Sequence, residues 1–523
     1  MRWDPLQGQI LRAAHRKCRA WFGARPARRS VLAALFGAAA CVGVVALTSP
    51  PGPGLDPDSM SYLGAAESLA RHGTLRIPMA AWSDADSTSA LRHFPPGFPV
   101  VLAIPVALGA DPQQAARGVE AVSALATVAV AVWVVAATAG AAAGALAGVT
   151  LLATPALVLD HARVLSEPLC LALLAASLAL MVFSRRPLLY GLAAAAAGLV
   201  RYAAVPFGGA AVLWAFGLHG PVRERARRAA LAAIPSVVLS GAVMLRSLLE
   251  SGGARSIGLH ADLGPTLREL FATLLAWLAP LTSPGLAGAL LAVVVTVAAV
   301  VVFRGAMSGG PGRQDPSAPV RSLLSAAALL AACYAAFVLV SRVFVYDNIP
   351  FDDRMLSPVI LLAEIAAAAA LGACWRMWGR SLRFAVTVPV ALWLAASAWA
   401  AGRAAADARE GGWGYASDEW RESKLGQWLR TEGRSAEIFS NDPAGIWFLT
   451  HRPSRDLPSD LAPEVMSDFA SVIESRTSVI VGFASYYDRM APPDSLASRL
   501  GLQKVAQFAD GTIWSAEPLS KPR

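Results

Sequence analysis

Long apolar runs rich in Ala, Val and Leu recur between residues 31 and 402, and short connections that often carry Arg separate them. Each run is close to the length of about 20 residues that a helix needs to cross a bilayer. The pattern predicts a polytopic α-helical membrane protein with about eleven spans, placed near 31–48, 117–138, 141–159, 166–184, 187–200, 203–218, 229–249, 285–303, 322–342, 357–374 and 384–402.

The sidedness of Arg orients these spans. The arm 1–30 is strongly basic, which predicts that it stays in the cytoplasm. A cleaved signal peptide is the rival interpretation, but the basic region is long, so the first span is taken as retained. With eleven crossings, the Arg-rich connections lie on the cytoplasmic side. The outer side then contains the segments 49–116, 160–165, 250–284 and 343–356, the turn at Arg201 and everything from residue 403.

One apolar segment, 266–281, would reverse this orientation from that point on if it were a span. It contains Arg268 and Glu269, so we interpret it as an interfacial helix.

Composition supports the membrane assignment. Of the 523 residues, 55% are hydrophobic and only 15% are charged, unlike a soluble globular protein. The net charge of +9 is accounted for mainly by the arm and the inner connections, so a nucleic-acid partner is not needed to explain it. The five cysteines have neither disulfide-type nor metal-type spacing.

The segment 403–523 is more polar and predicts a small α/β domain outside the membrane. It contains no Gly-rich phosphate loop, Ser nucleophile elbow or His/Cys cluster, so an accessory or substrate-guiding role is favoured over a separate catalytic one. Its predicted elements are helices at 418–430, 443–450 and 463–474, strands at 437–440 and 478–483, and a hairpin across 505–514.

The first outer loop, 49–116, combines carboxylates, bases and aromatic residues beside the first span. Asp56 before Pro57 is typical of a helix start, and Asp58 would lie in the first turn, where the helix dipole favours a carboxylate. A short amphipathic helix up to His72 follows. A carboxylate at this interface can also serve as a general base, so both roles stay open.

Four further charged residues lie at predicted outer span ends: Arg163, Glu167, Arg201 and Arg354. Glu167 has a structural explanation as a first-turn carboxylate behind Ser166, and any single Arg can form a salt bridge. Arg is usually enriched on the cytoplasmic side of a membrane protein, so an Arg at an outer span end indicates a nearby anion. A planar guanidinium suits a phosphate because it can donate two hydrogen bonds at once.

Together these motifs resemble the membrane glycosyltransferases of the GT-C superfamily, in particular the bacterial branch related to protein O-mannosyltransferases and the aminoarabinose transferase of lipid A. The similar segments, in the family's order, are Pro57-Asp58-Ser59-Met60-Ser61-Tyr62, His93-Phe94-Pro95-Pro96 followed by Arg117, Ser166-Glu167-Pro168-Leu169, and Arg354 to Pro358. Ser59 stands where many members have a second acidic residue, and His93 replaces a Lys one place nearer the prolines. These departures leave the donor sugar and a divalent-metal requirement open.

The resemblance implies an inverting glycosyltransferase of the cytoplasmic (inner) membrane that uses a polyprenyl-phosphate sugar at the outer face. The acceptor, whether glycan, lipid or protein, stays open. Asp58 is the implied base, with Asp56 as its rival and Glu167 as a third acidic position. The implied substrate-binding residues are Tyr62, Arg92, His93, Arg163, Arg201 and Arg354, and no metal ligands are assigned.

Three alternatives compete with this interpretation. A transporter or flippase of lipid-linked glycans predicts internal repeats and charged residues at mid-span, whereas the polar residues of this sequence gather at outer span ends. A surface-glycan ligase or polymerase predicts one large loop between late spans, whereas 343–356 is short. A non-catalytic scaffold leaves the outer Asp and Arg residues unexplained.

Overall fold

The computed structural model describes residues 26–49, 51–251, 259, 263–278, 318–345, 349–375, 378–433, 436–474, 477–484 and 490–516. The predicted span 285–303, Cys18 and most of the basic arm lie outside the described residues.

The predicted membrane region is almost wholly helical where it is described. Its helices are α1 Pro26–Leu47, α2 Pro57–His72, α3 Gly97–Ala107, α4 Pro112–Ala139, α5 Ala141–Ala153, α6 Pro155–His161, α7 Glu167–Phe183, α8 Pro187–Val200, α9 Pro206–Gly217, α10 Val222–Ser251, α11 Leu263–Leu278, α12 Ala318–Phe344, α13 Asp353–Trp375 and α14 Arg380–Gly411.

Six of the described helices are long and apolar enough to cross a membrane, namely α1, α4, α10, α12, α13 and α14. The count becomes seven if the bent pair α5–α6 is one span, and α3, α7, α8 and α9 are shorter apolar helices. The predicted count of about eleven spans is therefore not confirmed. The region predicted as one span at 141–159 bends by 67° between Ala153 and Pro155, because the residue before a proline avoids the helical conformation. Thr154 is accordingly extended.

Small residues let the helices of this Ala-rich region pack closely. A Cβ atom on Gly37 of α1 would lie 2.9 Å from the carbonyl oxygen of Leu125 on α4. A Cβ atom on Gly144 of α5 would lie 2.7 Å from the Ala136 methyl group of α4. The backbones approach at these two points only because the side chain is absent.

The C-terminal segment alternates helices and strands. Its elements are α15 Asp418–Arg421, α16 Lys424–Thr431, α17 Pro443–Thr450, α18 Pro463–Glu474 and α19 Pro493–Arg499, with strands β4 Glu437–Ser440, β5 Ser454–Asp456, β6 Ser478–Phe483, β7 Gln503–Phe508 and β8 Gly511–Ser515. The region predicted as one helix at 418–430 is two helices, because Ser423 caps the second by accepting a hydrogen bond from the Gly426 N–H at 2.8 Å. The predicted hairpin is formed by β7 and β8.

The first outer loop contributes three short strands, β1 Arg76–Ile77, β2 Met79–Ala80 and β3 Ser89–Ala90. β2 pairs in parallel with β5 and extends a six-stranded sheet of order β2-β5-β4-β6-β8-β7. The Trp82 N–H donates to Asp456 Oδ1 at 2.7 Å beside this pairing. The sheet is thus not built from the C-terminal segment alone, and the loop and the segment are joined by main-chain hydrogen bonds.

Candidate active site

Helix α2 begins where the sequence predicts, with Asp56 as its N-cap residue and Pro57 in the first turn. Ser59 Oγ accepts a hydrogen bond from the Asp56 N–H at 2.9 Å and donates one to the Val164 carbonyl at 2.8 Å. Ser59 thus completes the helix start and links it to the segment before α7.

Four charged side chains form a chain of alternating sign next to this helix start. Arg354 donates through Nη2 to Asp58 and through Nε to Glu167. Arg201 Nη1 lies 2.5 Å from the same oxygen of Glu167. Glu167 is only 1% exposed. A carboxylate buried to this degree is tolerated because two guanidinium groups compensate its charge.

A second set of charges surrounds Arg163. Its guanidinium lies 3.5 Å from Asp56 and 3.1 Å from Asp160, and it stacks over the Trp413 ring at 4.5 Å. Gly54 makes room for this side chain, since a Cβ atom there would come within 2.7 Å of Arg163 Cγ. Arg163 therefore links the first outer loop to the end of α14 and the residues that follow it.

The alternating row of Asp58, Arg354, Glu167 and Arg201 lies beside a cavity of about 990 Å³. Six of the residues predicted from sequence line it: Asp56, Asp58, Tyr62, His93, Arg201 and Arg354. Three other predicted residues do not line the cavity. Arg92 is exposed to solvent, Arg163 is bonded to Asp56 and Asp160, and Glu167 is buried behind Arg201 and Arg354. The predicted outer segments that carry these residues thus converge on one end of the helices.

The C-terminal segment supplies the opposite wall of the cavity through Asn441, Asp442, Asp456 and Met490. Sequence reasoning missed these four residues, because no motif marks them. Asp442 is the N-cap of α17 and accepts a hydrogen bond from the Tyr415 hydroxyl at 2.7 Å. Burial raises the pKa of Asp456 to about 6.

Tyr62 supports the cavity wall from within. Its ring packs against Phe94 and Phe98 at centroid distances of 4.8 and 5.0 Å, and its hydroxyl donates to Ser166 Oγ at 3.2 Å. Burial raises the pKa of Tyr62, so the phenol keeps its proton. Burial also raises the pKa of Asp56, although Arg163 opposes the shift.

Two acids inside the predicted spans were also missed. Glu120 of α4 accepts a hydrogen bond from the Leu165 N–H at 3.2 Å. Glu364, in the middle of α13, accepts one from Trp277 Nε1 at 3.3 Å and another from Thr154 at the helix break. The expectation that polar residues gather at outer span ends is wrong for Glu364. A lone Glu within an apolar run was the available signal.

The residues next to the cavity fit a divalent metal poorly. Nowhere in the described ranges do three or more His, Cys, Asp or Glu side chains come together as potential ligands. Asp58 and Glu167 are both bonded to Arg354, which competes with any cation for their oxygens.

The described helices, with this cavity at one end, share their fold with solved structures of two transferases. The arabinofuranosyltransferase AftD from Mycobacteria superposes with a TM-score of 0.55 and 18% identity, over 93% of this chain and 40% of AftD. The oligosaccharyltransferase AglB from Archaeoglobus fulgidus, in complex with an inhibitory peptide and a dolichol-phosphate, superposes with a TM-score of 0.50 and 11% identity. The match covers 88% of this chain and 70% of AglB.

ArnT from Cupriavidus metallidurans, bound to undecaprenyl phosphate, matches 94% of this chain and 99% of its own length at 16% identity, with a TM-score of 0.44. This chain spans less than half the length of AftD. No family model and no curated protein matches the sequence. Similarity at such low identity establishes the fold and leaves the activity to the chemistry of the site.

Proposed function

We propose that this protein is an inverting glycosyltransferase of the cytoplasmic membrane that moves a sugar from a polyprenyl-phosphate donor to an acceptor hydroxyl at the outer face. The observation that carries the proposal is the contact between Asp58 and Arg354 on the wall of one large cavity. A carboxylate suited to accept a proton there adjoins a guanidinium suited to bind a phosphate.

The donor phosphate is assigned to Arg354 and Arg201. Both line the cavity, and Glu167 holds both from beneath, so the two guanidinium groups are oriented before a substrate arrives. Negative charge grows on the phosphate as the glycosidic bond breaks, and fixed cations stabilise that charge in the transition state. His93 lies on the same wall and is assigned to the phosphate or the sugar. The AglB complex with a dolichol-phosphate supports a lipid phosphate as a ligand of this fold.

Asp58 is assigned as the general base. In the resting structure Arg354 donates a hydrogen bond to it, so the carboxylate is engaged before a substrate binds. A donor phosphate competes for the same guanidinium and so weakens its bond to Asp58. The freed carboxylate takes the acceptor's hydroxyl proton while the oxygen attacks the anomeric carbon from the face opposite the phosphate. The phosphate departs with the bonding electrons, and the configuration inverts.

Two predicted catalytic candidates receive positioning roles. Glu167 is 1% exposed and orients Arg201 and Arg354, so it is assigned no contact with the sugar. Asp56 begins α2 and pairs with Arg163, which fixes the helix start that presents Asp58.

A transporter of lipid-linked glycans is the second candidate, and Glu364 is the observation in its favour. A buried acid at mid-span, bonded to a break between two helices, is a feature of transporters. Glu364 does not line the cavity described above, however, and its Oε1 accepts hydrogen bonds from two neighbouring side chains. The transferase is therefore favoured.

The test uses the full chain in lipid nanodiscs with a panel of radiolabelled polyprenyl-phosphate monosaccharides and envelope extracts as acceptors. Asp58→Asn should lower transfer by about 10²–10⁴-fold, the usual contribution of a general base. Asp56→Asn is the parallel variant at the rival carboxylate; Asn still caps the helix but loses the ion pair with Arg163, so it should lose much less activity than Asp58→Asn. Full activity in a normally folded Asp58→Asn variant would remove Asp58 as the base. Movement of the donor across proteoliposomes without transfer would favour the transporter.

A further inference from the structure

A second cavity of about 800 Å³ lies on the opposite face of α2 from the candidate active site. Met60, Gly64, Glu67 and Arg71 line it at helical spacing, whereas Asp58 and Tyr62 of the same helix face the first cavity. The helix is thus a wall between two compartments.

Helix α17 of the C-terminal segment divides in the same way. Pro443 and Ala444 at its start line the first cavity, and Trp447, Phe448 and the following His451 line the second. Ile77 borders both. Both compartments therefore lie between the first outer loop and the C-terminal segment, and they meet at Ile77.

The walls of the second cavity combine an apolar floor with a fixed polar rim. Leu63 and Trp447 are buried at the floor. At the rim Arg71 pairs with Glu67 at 2.8 Å, and Arg76 pairs with Asp86 at 2.9 Å while donating to Thr88 Oγ1 at 2.8 Å. These side chains present both hydrogen-bond donors and acceptors at the rim.

The charges of this rim favour a neutral ligand. Each of the two arginines on the wall is paired with a carboxylate, and Asp111 accepts hydrogen bonds from the N–H groups of Gln113 and Gln114. The two arginines and their two carboxylate partners cancel in charge, so these ion pairs give the rim no net positive charge that would favour an anion. A sugar chain has apolar C–H faces for the floor and hydroxyl groups that both donate and accept at the rim.

We propose that the second cavity binds a neutral oligosaccharide, the part of a glycan acceptor that lies several sugar units away from the reacting hydroxyl. Its place along the acceptor rests on the proposed glycosyltransferase function, whereas its affinity for neutral saccharides does not.

His451 provides a variant that preserves folding. Its φ of 52° lies in the left-handed region that favours glycine, so His451→Gly removes a rim side chain and relieves the backbone. Ser68→Trp fills the cavity from α2. Ser471→Trp is the matched control, because Ser471 is exposed on α18 and lines neither cavity.

The test probes the full chain in nanodiscs against an array of neutral and acidic oligosaccharides of four or more units. Neutral oligosaccharides should bind, Ser68→Trp should weaken the binding at least tenfold and His451→Gly severalfold, and Ser471→Trp and Asp58→Asn should leave it unchanged. Absence of binding, a preference for acidic glycans, or equal binding by Ser68→Trp would overturn the proposal.

The transfer assay separates the two proposals. Ser68→Trp should keep transfer to a one-unit acceptor and lose preference for long acceptors. If Asp58→Asn keeps its activity, the proposed reaction fails while the array result stands.

Discussion

Arg354 donates through Nε to Glu167 and through Nη2 to Asp58, so one guanidinium joins the proposed base to the buried carboxylate that also holds Arg201. The proposed donor site and the proposed base therefore share one side chain. A phosphate bound to Arg354 would compete with Asp58 for the same guanidinium.

Replacing Arg354 by Lys should lower kcat by about 10²–10³-fold, the usual cost of losing one group that stabilises transition-state charge. An ammonium keeps the charge but lacks the planar fork that reaches Asp58 and Glu167 together. Steady-state kinetics with varied donor concentration measure the effect. Arg228→Lys is the control, because Arg228 lies in the first turns of α10 and does not line the cavity. This variant should leave kcat unchanged. A kcat within twofold of the parent for Arg354→Lys would contradict the role assigned to Arg354.

Glu167→Gln should destabilise the protein by about 3–5 kcal/mol, because Arg201 and Arg354 are then left partly buried without their shared counter-charge. Apparent melting temperature in detergent reports the loss. The double variant Glu167→Gln/Arg201→Gln should recover part of it, since one uncompensated cation is removed. Additive losses in the double variant would show that the pair is not coupled.

Gly64→Ala should cost about 1–3 kcal/mol by overpacking, because a Cβ atom at this position of α2 would overlap the Pro78 ring before strand β2. Gly118→Ala is the matched control. Gly118 also lies in a helix, α4, but a Cβ atom there meets open space, so that variant should be neutral or stabilising by up to about 1 kcal/mol. Equal melting temperatures for the two variants would disprove the close contact.

Asp456 should make stability fall as pH rises from about 4 to about 6. Burial raises the pKa of Asp456 to about 6 in the folded protein, against about 3.9 in an unfolded chain. Within this window the folded state keeps a proton that the unfolded state has released, so folding is favoured at the lower pH and the gain is lost above pH 6.

Asp456→Asn should remove this component and raise the apparent melting temperature at pH 7, since the Asn side-chain oxygen still accepts from the Trp82 N–H. The difference between parent and variant melting curves isolates Asp456 from other titrating groups. A difference that does not vary between pH 4 and pH 7 would refute the prediction.

Local rules made parts of this structure predictable from sequence. The start of α2 at Pro57 follows from capping, and its end at His72 precedes Gly73 at φ 70°. The strand at Glu437–Ser440 lies at its predicted position. The distribution of Arg among the connections predicted that Asp58, Glu167, Arg201 and Arg354 lie on one side of the membrane. In the structure these four side chains are in contact with one another.

Long-range contacts were not predictable. β2 has two residues, too few for a pattern, and it exists because it pairs with β5. Asn441 and Asp442 acquire their place on the cavity wall through the packing of α17. The roles of Glu167 as a support and Arg163 as a link depend on partners that a single sequence does not reveal.

The pairing of Met79 with Ser454 also constrains the order of folding. Strand β2, at the edge of the sheet, is synthesised long before its partner β5. The helices between the two strands must therefore be inserted before β2 can pair with β5. Contacts this distant in sequence form slowly, because the intervening chain must first be closed into a loop. The cavity is therefore completed last, and an incompletely synthesised chain carries its carboxylates and guanidinium groups without the opposite wall. Such a chain is unable to enclose a substrate before the C-terminal segment has docked.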